Sequence, residues 1–393
     1  MSNTSSTSDT SVASGAAGPV AVELREAALP LVRPFRTSRG VETTKHVLLV
    51  SWTRTGPGGE SITGWGECGA DPQPTYFPEY IDTVRAALAG ILVPMARDLA
   101  ENEATRPVLV PRLRTAFADL PGMPLAKAAL ESAVLDAELR AAGMSLSTYL
   151  GGYRERVAVG VSVGIPDSID ELLDWVRGYL DDGYGRIKLK VRPGWDVEPI
   201  RAVREAFGDA LPLQVDANQA YRTSDIAHLL RFDDHGMLLV EQPFPAGDLL
   251  AHAALARDLA TPVCLDESVT SLGTAAAAIR LGAADSINIK PSRVGGYLTA
   301  RSIHDLAAAH GVPVFCGGML ETGIGRAMNL ALAGLPNFTL PGDISATSRY
   351  YERDITRSFE LVDGHLEPPV GPGSGVDVDL DALEDLTTSA VAV

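Results

Sequence analysis

The sequence predicts an α/β fold in which a (β/α)8 (TIM-type) barrel follows an N-terminal α+β capping domain. Two observations carry this prediction. After Gly151, short apolar runs that end in a charged or polar residue alternate with Ala/Leu-rich helical stretches. Eight such units fit within about 190 residues, as in a parallel barrel. Before Gly151, alternating segments give way to apolar residues at i, i+3, i+4 and i+7, which indicates strands followed by amphipathic helices.

Length and composition indicate a folded globular protein. The chain has 393 residues, of which 46% are hydrophobic and 21% are charged, unlike the composition of disordered chains. The formal net charge of −17 repels phosphate backbones and anionic lipid, so we expect neither nucleic acid nor a membrane as a partner. No stretch approaches the roughly 18 apolar residues of a membrane span. The 3 cysteines form no CxxC pair, which predicts a cytoplasmic location.

The chain divides into three predicted parts. Residues 1–19 are rich in Ser, Thr and Gly and have no secretory-signal pattern, so they are predicted to form a disordered tail. Residues 20–150 are predicted to form the capping domain, which begins with a hairpin that has a long loop. Residues 151–359 are predicted to form the barrel catalytic domain, and residues 360–393 to return to the capping domain.

The eight predicted barrel strands are short runs rich in β-branched residues. Pro212, Pro262 and Pro313 lie where a helix gives way to the next run, because proline ends a helix there without interrupting a central strand. The runs are GVSVGI ending at 165, RIKLKV at 191, LQVDAN at 218, LLVEQP at 243, VCLDES at 268, SINIKP at 291, VFCGGM at 319 and NFTLPGD at 343.

Three acidic residues follow consecutive predicted strands at a constant spacing. Asp216, Glu241 and Asp266 are each separated by 25 residues, about the length of a strand, a helix and two short loops. We therefore expect each to occupy the same place on its strand and to point into the C-terminal mouth of the barrel. Three converging carboxylates need a cation, and an all-oxygen set suits a hard divalent ion such as Mg²⁺ or Mn²⁺.

Lysines share the phase of these acids. Lys190 ends the second predicted strand and Lys290 the sixth, so they are expected on opposite sides of the metal. Lys188, two residues before Lys190, projects to the same interior face. A nearby cation and partial desolvation are expected to lower the lysine pKa, so that a neutral amine can remove a proton. This arrangement fits abstraction of a proton α to a carboxylate.

Residues next to this set have simpler interpretations. Asn218 and Glu267 are predicted to support the metal ligands or to cap helices. Ser162 lies in a GxSxG pattern, but no helix follows it directly, so a serine hydrolase is not expected. Tyr76 and Tyr80 are predicted to be core or surface residues of the capping domain, with a position facing the substrate as the alternative.

Motifs around these residues match a known pattern. The sequence contains KLK at 188–190, DAN at 216–218, EQP at 241–243, DES at 266–268 and KPSRVGG at 290–296. These motifs resemble the enolase superfamily, in its muconate-lactonising-enzyme group. The longer segments LVRPFRTSRG, GWGEC, CGGMLETGIGR and LPNFTLPGDISATSRYY are similar to the N-acylamino-acid racemase / o-succinylbenzoate synthase family. The resemblance extends over residues 20–375.

The resemblance implies a reaction and its machinery. It implies metal-dependent racemisation of N-acylamino acids, with α-proton abstraction through an enediolate intermediate, and o-succinylbenzoate formation as an additional activity of the same site. Asp216, Glu241 and Asp266 would be the metal ligands, and Lys190 and Lys290 the two acid/base catalysts. The metal would be Mg²⁺, for which Mn²⁺ or Co²⁺ can substitute.

The resemblance also implies supporting and substrate-binding residues. Lys188 would support Lys190 electrostatically, and Arg293 would tune the reactivity of Lys290, which favours racemisation. Residues 34–40 match a segment that folds over the pocket. Arg39 departs from the family pattern, which often has an aromatic or apolar residue at this position. The substrate-binding residues implied are Ser162, Gly318, Met319, Phe35 and Arg39.

Three alternatives to racemisation remain open at this level. The first is o-succinylbenzoate synthase, a syn dehydration in menaquinone biosynthesis that needs only one base. The second is a dipeptide epimerase or cycloisomerase with the same pair of bases. The third belongs to another class, a non-catalytic barrel that binds a small acid through the metal. In every case the expected partner is a small-molecule carboxylate, and the resemblance implies a homo-oligomer.

Overall fold

The computed structural model describes residues 20–56, 58–102 and 109–393. The predicted disordered tail, residues 1–19, lies outside the described residues. Two main sheets organise the chain, one of four antiparallel strands and one of seven parallel strands. Among the described residues, no helix combines the length and the hydrophobicity that crossing a membrane requires.

The N-terminal part begins with three antiparallel strands, β1 (Ala21–Arg36), β2 (Val41–Thr55) and β3 (Ser61–Cys68). β1 and β2 form the expected hairpin, while β3 was not expected. Five helices follow, and a π-helical turn at Leu88–Leu92 joins the first two. The helices are α1 (Ile81–Ala87), α2 (Val93–Asn102), α3 (Val110–Ala118), α4 (Pro124–Ala141) and α5 (Leu146–Leu150).

Two glycines of β3 allow α4 to pack directly on the sheet. A Cβ atom at Gly64 would overlap the backbone of Ala133 and Ala137, and one at Gly66 would overlap the carbonyl oxygen of Ala129. Any larger residue would push the helix away from the strand. At the end of β3, Glu67 accepts hydrogen bonds from the Thr322 hydroxyl and the Gly325 N–H, both of which come after the last of the seven parallel strands.

The parallel sheet follows the order of the chain. Val157–Ala158 forms a short strand, β4, and the seven parallel strands pair consecutively from β5 to β11. These strands are β5 (Val161–Val163), β6 (Ile187–Lys190), β7 (Leu213–Asp216), β8 (Leu239–Glu241), β9 (Val263–Leu265), β10 (Ser286–Ile289) and β11 (Val314–Cys316).

The eighth predicted strand, NFTLPGD, closes the ring through isolated bridges. Phe338 pairs with Val314 of β11, and Gly342 pairs with Val159, just before β5. Pro341 and Pro336 lack the N–H groups that a continuous ladder would use, which explains why this segment is not a regular strand. The predicted barrel fold is confirmed, with an irregular eighth strand.

Helices surround the barrel, and the end of the chain returns to the first sheet. A short strand β12 (His365–Leu366) pairs with β4, and the last strand, β13 (Thr387–Ala392), pairs with β1. The helices are α6 (Ile169–Asp181), α7 (Val197–Phe207), α8 (Ile226–Leu229), α9 (Leu249–Asp258), α10 (Leu272–Leu281), α11 (Pro291–Val294), α12 (Tyr297–Ala309), α13 (Gly323–Ala333) and α14 (Leu380–Leu386).

The barrel interior is packed below its mouth. Leu239, Cys264 and Phe315 form a buried apolar cluster on three of the parallel strands. Such side-chain layers fill a barrel and leave only its ends available to ligands. A polar site is therefore confined to the C-terminal ends of the strands, which the capping part covers.

Candidate active site

A cavity of about 520 Å³ lies between the barrel mouth and the N-terminal part. The barrel contributes strand ends, and the N-terminal part contributes the β1–β2 loop and the segment after β3. Nine of the predicted site residues line it: Phe35, Arg39, Ser162, Lys188, Lys190, Asn218, Lys290, Gly318 and Met319.

The three carboxylates do not share one level of the barrel. Asp216 and Glu241 are register partners on β7 and β8. Glu241 in turn pairs with Cys264 of β9, so that Asp266 lies two residues further along its strand. This differs from the expectation of the same place on each strand. The stagger of strands that tilt around a barrel axis produces the offset.

Each carboxylate is buried and holds a different set of cations. Asp216 accepts from Lys190 at 2.6 Å, and Glu241 accepts from Lys188 at 3.1 Å. Asp266 accepts from Lys290 at 2.9 Å and forms a second ion pair with Arg293. Charge compensation therefore comes from four basic side chains in this arrangement.

The donor chemistry of this set fits a hard divalent cation. Burial, together with the charges of Asp216 and Asp266, raises the pKa of Glu241 to about 8, so its buried ionised form is disfavoured. A divalent ion bound by these carboxylates would favour their ionised forms. In the described ranges, no three His, Cys, Asp or Glu side chains are grouped as a metal cage. The carboxylate oxygens would have to exchange lysine partners for the ion.

The pKa values of Lys290 and Lys188 differ from the lowering that the sequence predicts. Burial lowers the pKa of Lys290, but the negative charges around it, that of Asp266 first, raise the pKa by more. The pKa of Lys290 therefore lies above its usual value. The same balance, with Asp343 and Glu241 as the main acids, holds the pKa of Lys188 well above its usual range. The expected lowering counted a nearby cation and desolvation, and it left out the attraction of these neighbouring acids.

The two lysines lie on opposite parts of the ring. Lys190 ends β6 and Lys290 directly follows β10, four strands further around. Lys190 bonds Asp216 and Asn218, whereas Lys290 bonds Asp266 and Tyr76, so they share no hydrogen-bond partner.

An aromatic side chain of the N-terminal part covers each lysine. The ring centroid of Phe35 lies 5.9 Å from the Lys190 ammonium, and that of Tyr76 lies 5.1 Å from the Lys290 ammonium. The Tyr76 hydroxyl also donates to Asp266 at 2.9 Å and accepts from Lys290 at 3.0 Å. Tyr76 was expected to be a core or surface residue, and it faces the cavity instead. Tyr80 does not line the cavity.

Asn218, Glu267 and Arg293 contact the principal residues. The Asn218 side chain accepts from Lys190 at 2.9 Å and donates to Glu267 at 3.2 Å. Burial, with the charges of Asp266 and Asp216, raises the pKa of Glu267 to about 7. Arg293 donates to Asp266 and to the carbonyl oxygen of Val269. Its backbone N–H also donates to the carbonyl oxygen of Lys290, and its guanidinium shares Asp266 with the Lys290 ammonium.

The expected substrate-lining residues form the remaining wall. The Ser162 hydroxyl is buried and has no hydrogen-bond partner among the described residues, while its carbonyl oxygen accepts from Arg349. Gly318 and Met319 follow β11. An unpaired buried hydroxyl leaves a polar group available to a ligand.

Sequence reasoning missed four polar residues of this network. Asp343, at the end of the closing segment, forms ion pairs with Lys188 and Arg186. Gln214 and Asn288 both donate to Glu241. A signal was present, because Gln214 and Asn288 lie two residues before a candidate site residue and so share its inward face.

The family models match most of the chain. Residues 20–151 match the mandelate racemase / muconate lactonizing enzyme N-terminal domain, and residues 171–382 match the enolase C-terminal domain-like model. The chain belongs to the enolase superfamily. Members of this superfamily are enzymes that depend on a divalent metal ion and act on small carboxylates.

Relatives with similar sequences support a narrower placement. An N-succinylamino acid racemase from Amycolatopsis sp is 54% identical over 370 residues, covering 94% of this chain and 98% of the relative. An o-succinylbenzoate synthase from Geobacillus kaustophilus is 44% identical, covering 94% of this chain and 96% of the relative. The crystal structure of an enolase superfamily member from Listeria innocua has a TM-score of 0.88 and 37% identity, covering 95% of this chain and 98% of that one. The predicted membership of the racemase/synthase family is confirmed.

Proposed function

We propose that this protein racemises N-acylamino acids by moving the α-proton between Lys190 and Lys290. One observation carries the proposal: two buried lysines stand on opposite parts of the barrel ring and bond different carboxylates. A single base would suffice for a dehydration, whereas inversion at a carbon needs a proton donor on the other face. The similarity to racemases of N-succinylamino acids supports the same reaction.

Asp216, Glu241 and Asp266 would hold a divalent ion, for which we propose Mg²⁺. When bound, such an ion supplies positive charge next to the substrate carboxylate and so favours the enediolate. Asn218 and Glu267 would orient Asp216 and Lys190 through their hydrogen bonds.

The chain's own residues then account for the proton transfers. Either lysine, as a free amine, takes the α-proton from the face that it borders, and the other, as an ammonium, returns a proton to the opposite face. Phe35 and Tyr76 cover the two amines and exclude bulk water. Lys188, held by Asp343 and Glu241, adds positive charge beside Lys190. Ser162, Gly318 and Met319 would border the acyl and side-chain groups.

A second candidate activity is o-succinylbenzoate formation, which the similarity to o-succinylbenzoate synthases favours. The same base, Lys190, would serve this dehydration, so both reactions fit one cavity. A dipeptide epimerase fits less well, because the cavity must then bind a free ammonium group. Three acids line the cavity, and each already forms an ion pair: Glu42 and Asp71 with Lys45, and Asp343 with Arg186 and Lys188.

The test is α-proton exchange with solvent deuterium on each enantiomer of N-acetylmethionine. The wild type should exchange both enantiomers, and Lys190→Ala and Lys290→Ala should each lose exchange on a different one. Absence of exchange on both enantiomers, with active dehydration, would identify a synthase alone. Ligand binding without either reaction would identify a non-catalytic binder. The cytoplasmic location and the homo-oligomeric state stay predictions from the sequence.

A further inference from the structure

Arg39 is distinguished by its lack of an acidic partner. The cavity is lined by four lysines, and each of them forms an ion pair: Lys45 with Glu42 and Asp71, Lys188 with three acids, Lys190 with Asp216, and Lys290 with Asp266. Within the described ranges, Arg39 is the one guanidinium or ammonium group of the lining without such a pair. Its guanidinium is free to receive a carboxylate from outside the protein.

The position of Arg39 is fixed at the cavity mouth by two weak contacts. Its guanidinium donates to the carbonyl oxygen of Thr75 at 3.2 Å and lies 5.9 Å from the ring centroid of Tyr76. The bond to the Thr75 carbonyl oxygen uses one of the five N–H donors of the Arg39 guanidinium, so the others stay available. Arginine presents these donors as a planar fork that matches a carboxylate.

We propose that Arg39 binds a second carboxylate, carried by the acyl group of the substrate, and so makes the enzyme selective for N-acyl groups that end in an acid. This inference rests on the proposed function, since it takes the α-carbon to lie between Lys190 and Lys290. It assigns to Arg39 the recognition of charge rather than only the covering of the pocket.

The distances allow this contact. Lys290 Nζ lies 5.1 Å and Arg39 Cζ 5.9 Å from the Tyr76 centroid, so the two groups are at most about 11 Å apart. A reacting α-carbon lies about 3 Å from its base. The five bonds from that carbon to the terminal carboxylate carbon of a succinyl group span about 6 Å. An ion pair adds about 4 Å, so a four-carbon diacid reaches Arg39.

The decisive measurement compares two acyl groups on the same amino acid. N-succinylmethionine and N-butyrylmethionine have acyl chains of equal length, and only the first ends in a carboxylate. We define the selectivity as kcat/KM for the succinyl substrate divided by kcat/KM for the butyryl substrate. Arg39→Met should lower this ratio about ten-fold, chiefly through KM, which corresponds to 1.4 kcal/mol. Arg39→Lys should retain part of the ratio, because it keeps the charge but loses the fork.

A matched control removes an equal charge from the same segment. Arg36 does not line the cavity, and its guanidinium forms an exposed ion pair with Asp167 at 2.5 Å. Arg36→Met should leave the selectivity unchanged. An equal loss of selectivity in both variants would show a long-range effect of charge and would overturn the contact. Added salt should lower the selectivity of the wild type more than that of Arg39→Met.

Further outcomes distinguish failure of this inference from failure of the proposed function. If Arg39→Met lowers kcat/KM for both substrates equally, Arg39 only holds the β1–β2 loop against Thr75, and the inference is wrong. If the ratio does not change while the butyryl substrate is racemised, the inference fails and the proposed function stands. If the wild type exchanges the α-proton of neither substrate, both fail.

Discussion

Replacement of Tyr76 by phenylalanine tests whether the capping part contributes chemistry to the site. The change removes the hydroxyl that donates to Asp266 at 2.9 Å and accepts from Lys290 at 3.0 Å, and it keeps the ring that covers the ammonium. Hydrogen bonds to charged groups contribute about 1.5 to 3 kcal/mol. Because Lys290 and Asp266 retain their own contact at 2.9 Å, we expect the lower value, about a ten-fold slower proton transfer at Lys290.

Racemisation rates alone do not show which of the two bases has become slower. The equilibrium constant between enantiomers is one, so a slower step at one base lowers kcat/KM equally in both directions. Deuterium exchange into unreacted substrate separates the two bases, because each enantiomer presents its α-proton to one lysine. Tyr76→Phe should slow exchange on the enantiomer that Lys290→Ala abolishes, and it should spare the other. The control is Tyr80→Phe, which alters a neighbouring residue outside the cavity lining. Equal slowing of both enantiomers, or no slowing, would refute the role of the hydroxyl.

Two further predictions concern metal binding and stability. Mg²⁺ at about 100 times its Kd should raise the free energy of unfolding by about 2.7 kcal/mol, which a higher Tm would show. Asp216→Asn should lose most of this increase in Tm. A variant that keeps the full increase would contradict the assignment of Asp216 as a ligand. Burial raises the pKa of Glu131 to about 7, so its protonated form stabilises the fold below about pH 4.5 and this contribution is lost as the pH rises through 7. Urea unfolding of Glu131→Gln should therefore show a gain relative to wild type of up to about 3 kcal/mol between pH 5 and pH 8; a pH-independent difference would contradict this.

The sequence predicted residues whose position follows from strand periodicity. Asp216, Glu241 and Lys190 each end a short β-rich run, and the alternation of a strand decides which side chains face inward. The same rule would have found Gln214 and Asn288. Alternation along a strand could not predict the two-residue offset of Asp266, because the spacing of residues in the sequence does not show how tilted strands are staggered.

Residues outside regular elements have no comparable signal in the sequence. Tyr76 lies in the irregular segment between β3 and α1, where no period relates a side chain to a face. Its contact with Asp266 spans 190 residues and depends on how the N-terminal part docks on the barrel. The close packing of α4 on Gly64 and Gly66 fixes that part as a unit. Such long-range contacts follow from tertiary packing, which local patterns do not encode.

The charges at the barrel mouth relate the lysine pKa to the type of substrate. The acids and bases that are linked at the mouth carry equal and opposite total charge in their usual ionised forms. The acids are Asp216, Glu241, Asp266, Glu267 and Asp343, and the bases are Arg186, Lys188, Lys190, Lys290 and Arg293. A divalent cation held by Asp216, Glu241 and Asp266 would add two positive charges, of which the α-carboxylate of a substrate would cancel one. Loss of one proton from a lysine would cancel the second positive charge. That lysine would then be the free amine that proton abstraction needs. A second substrate carboxylate would unbalance this buried set, so it belongs outside the set, at the mouth, where Arg39 is unpaired.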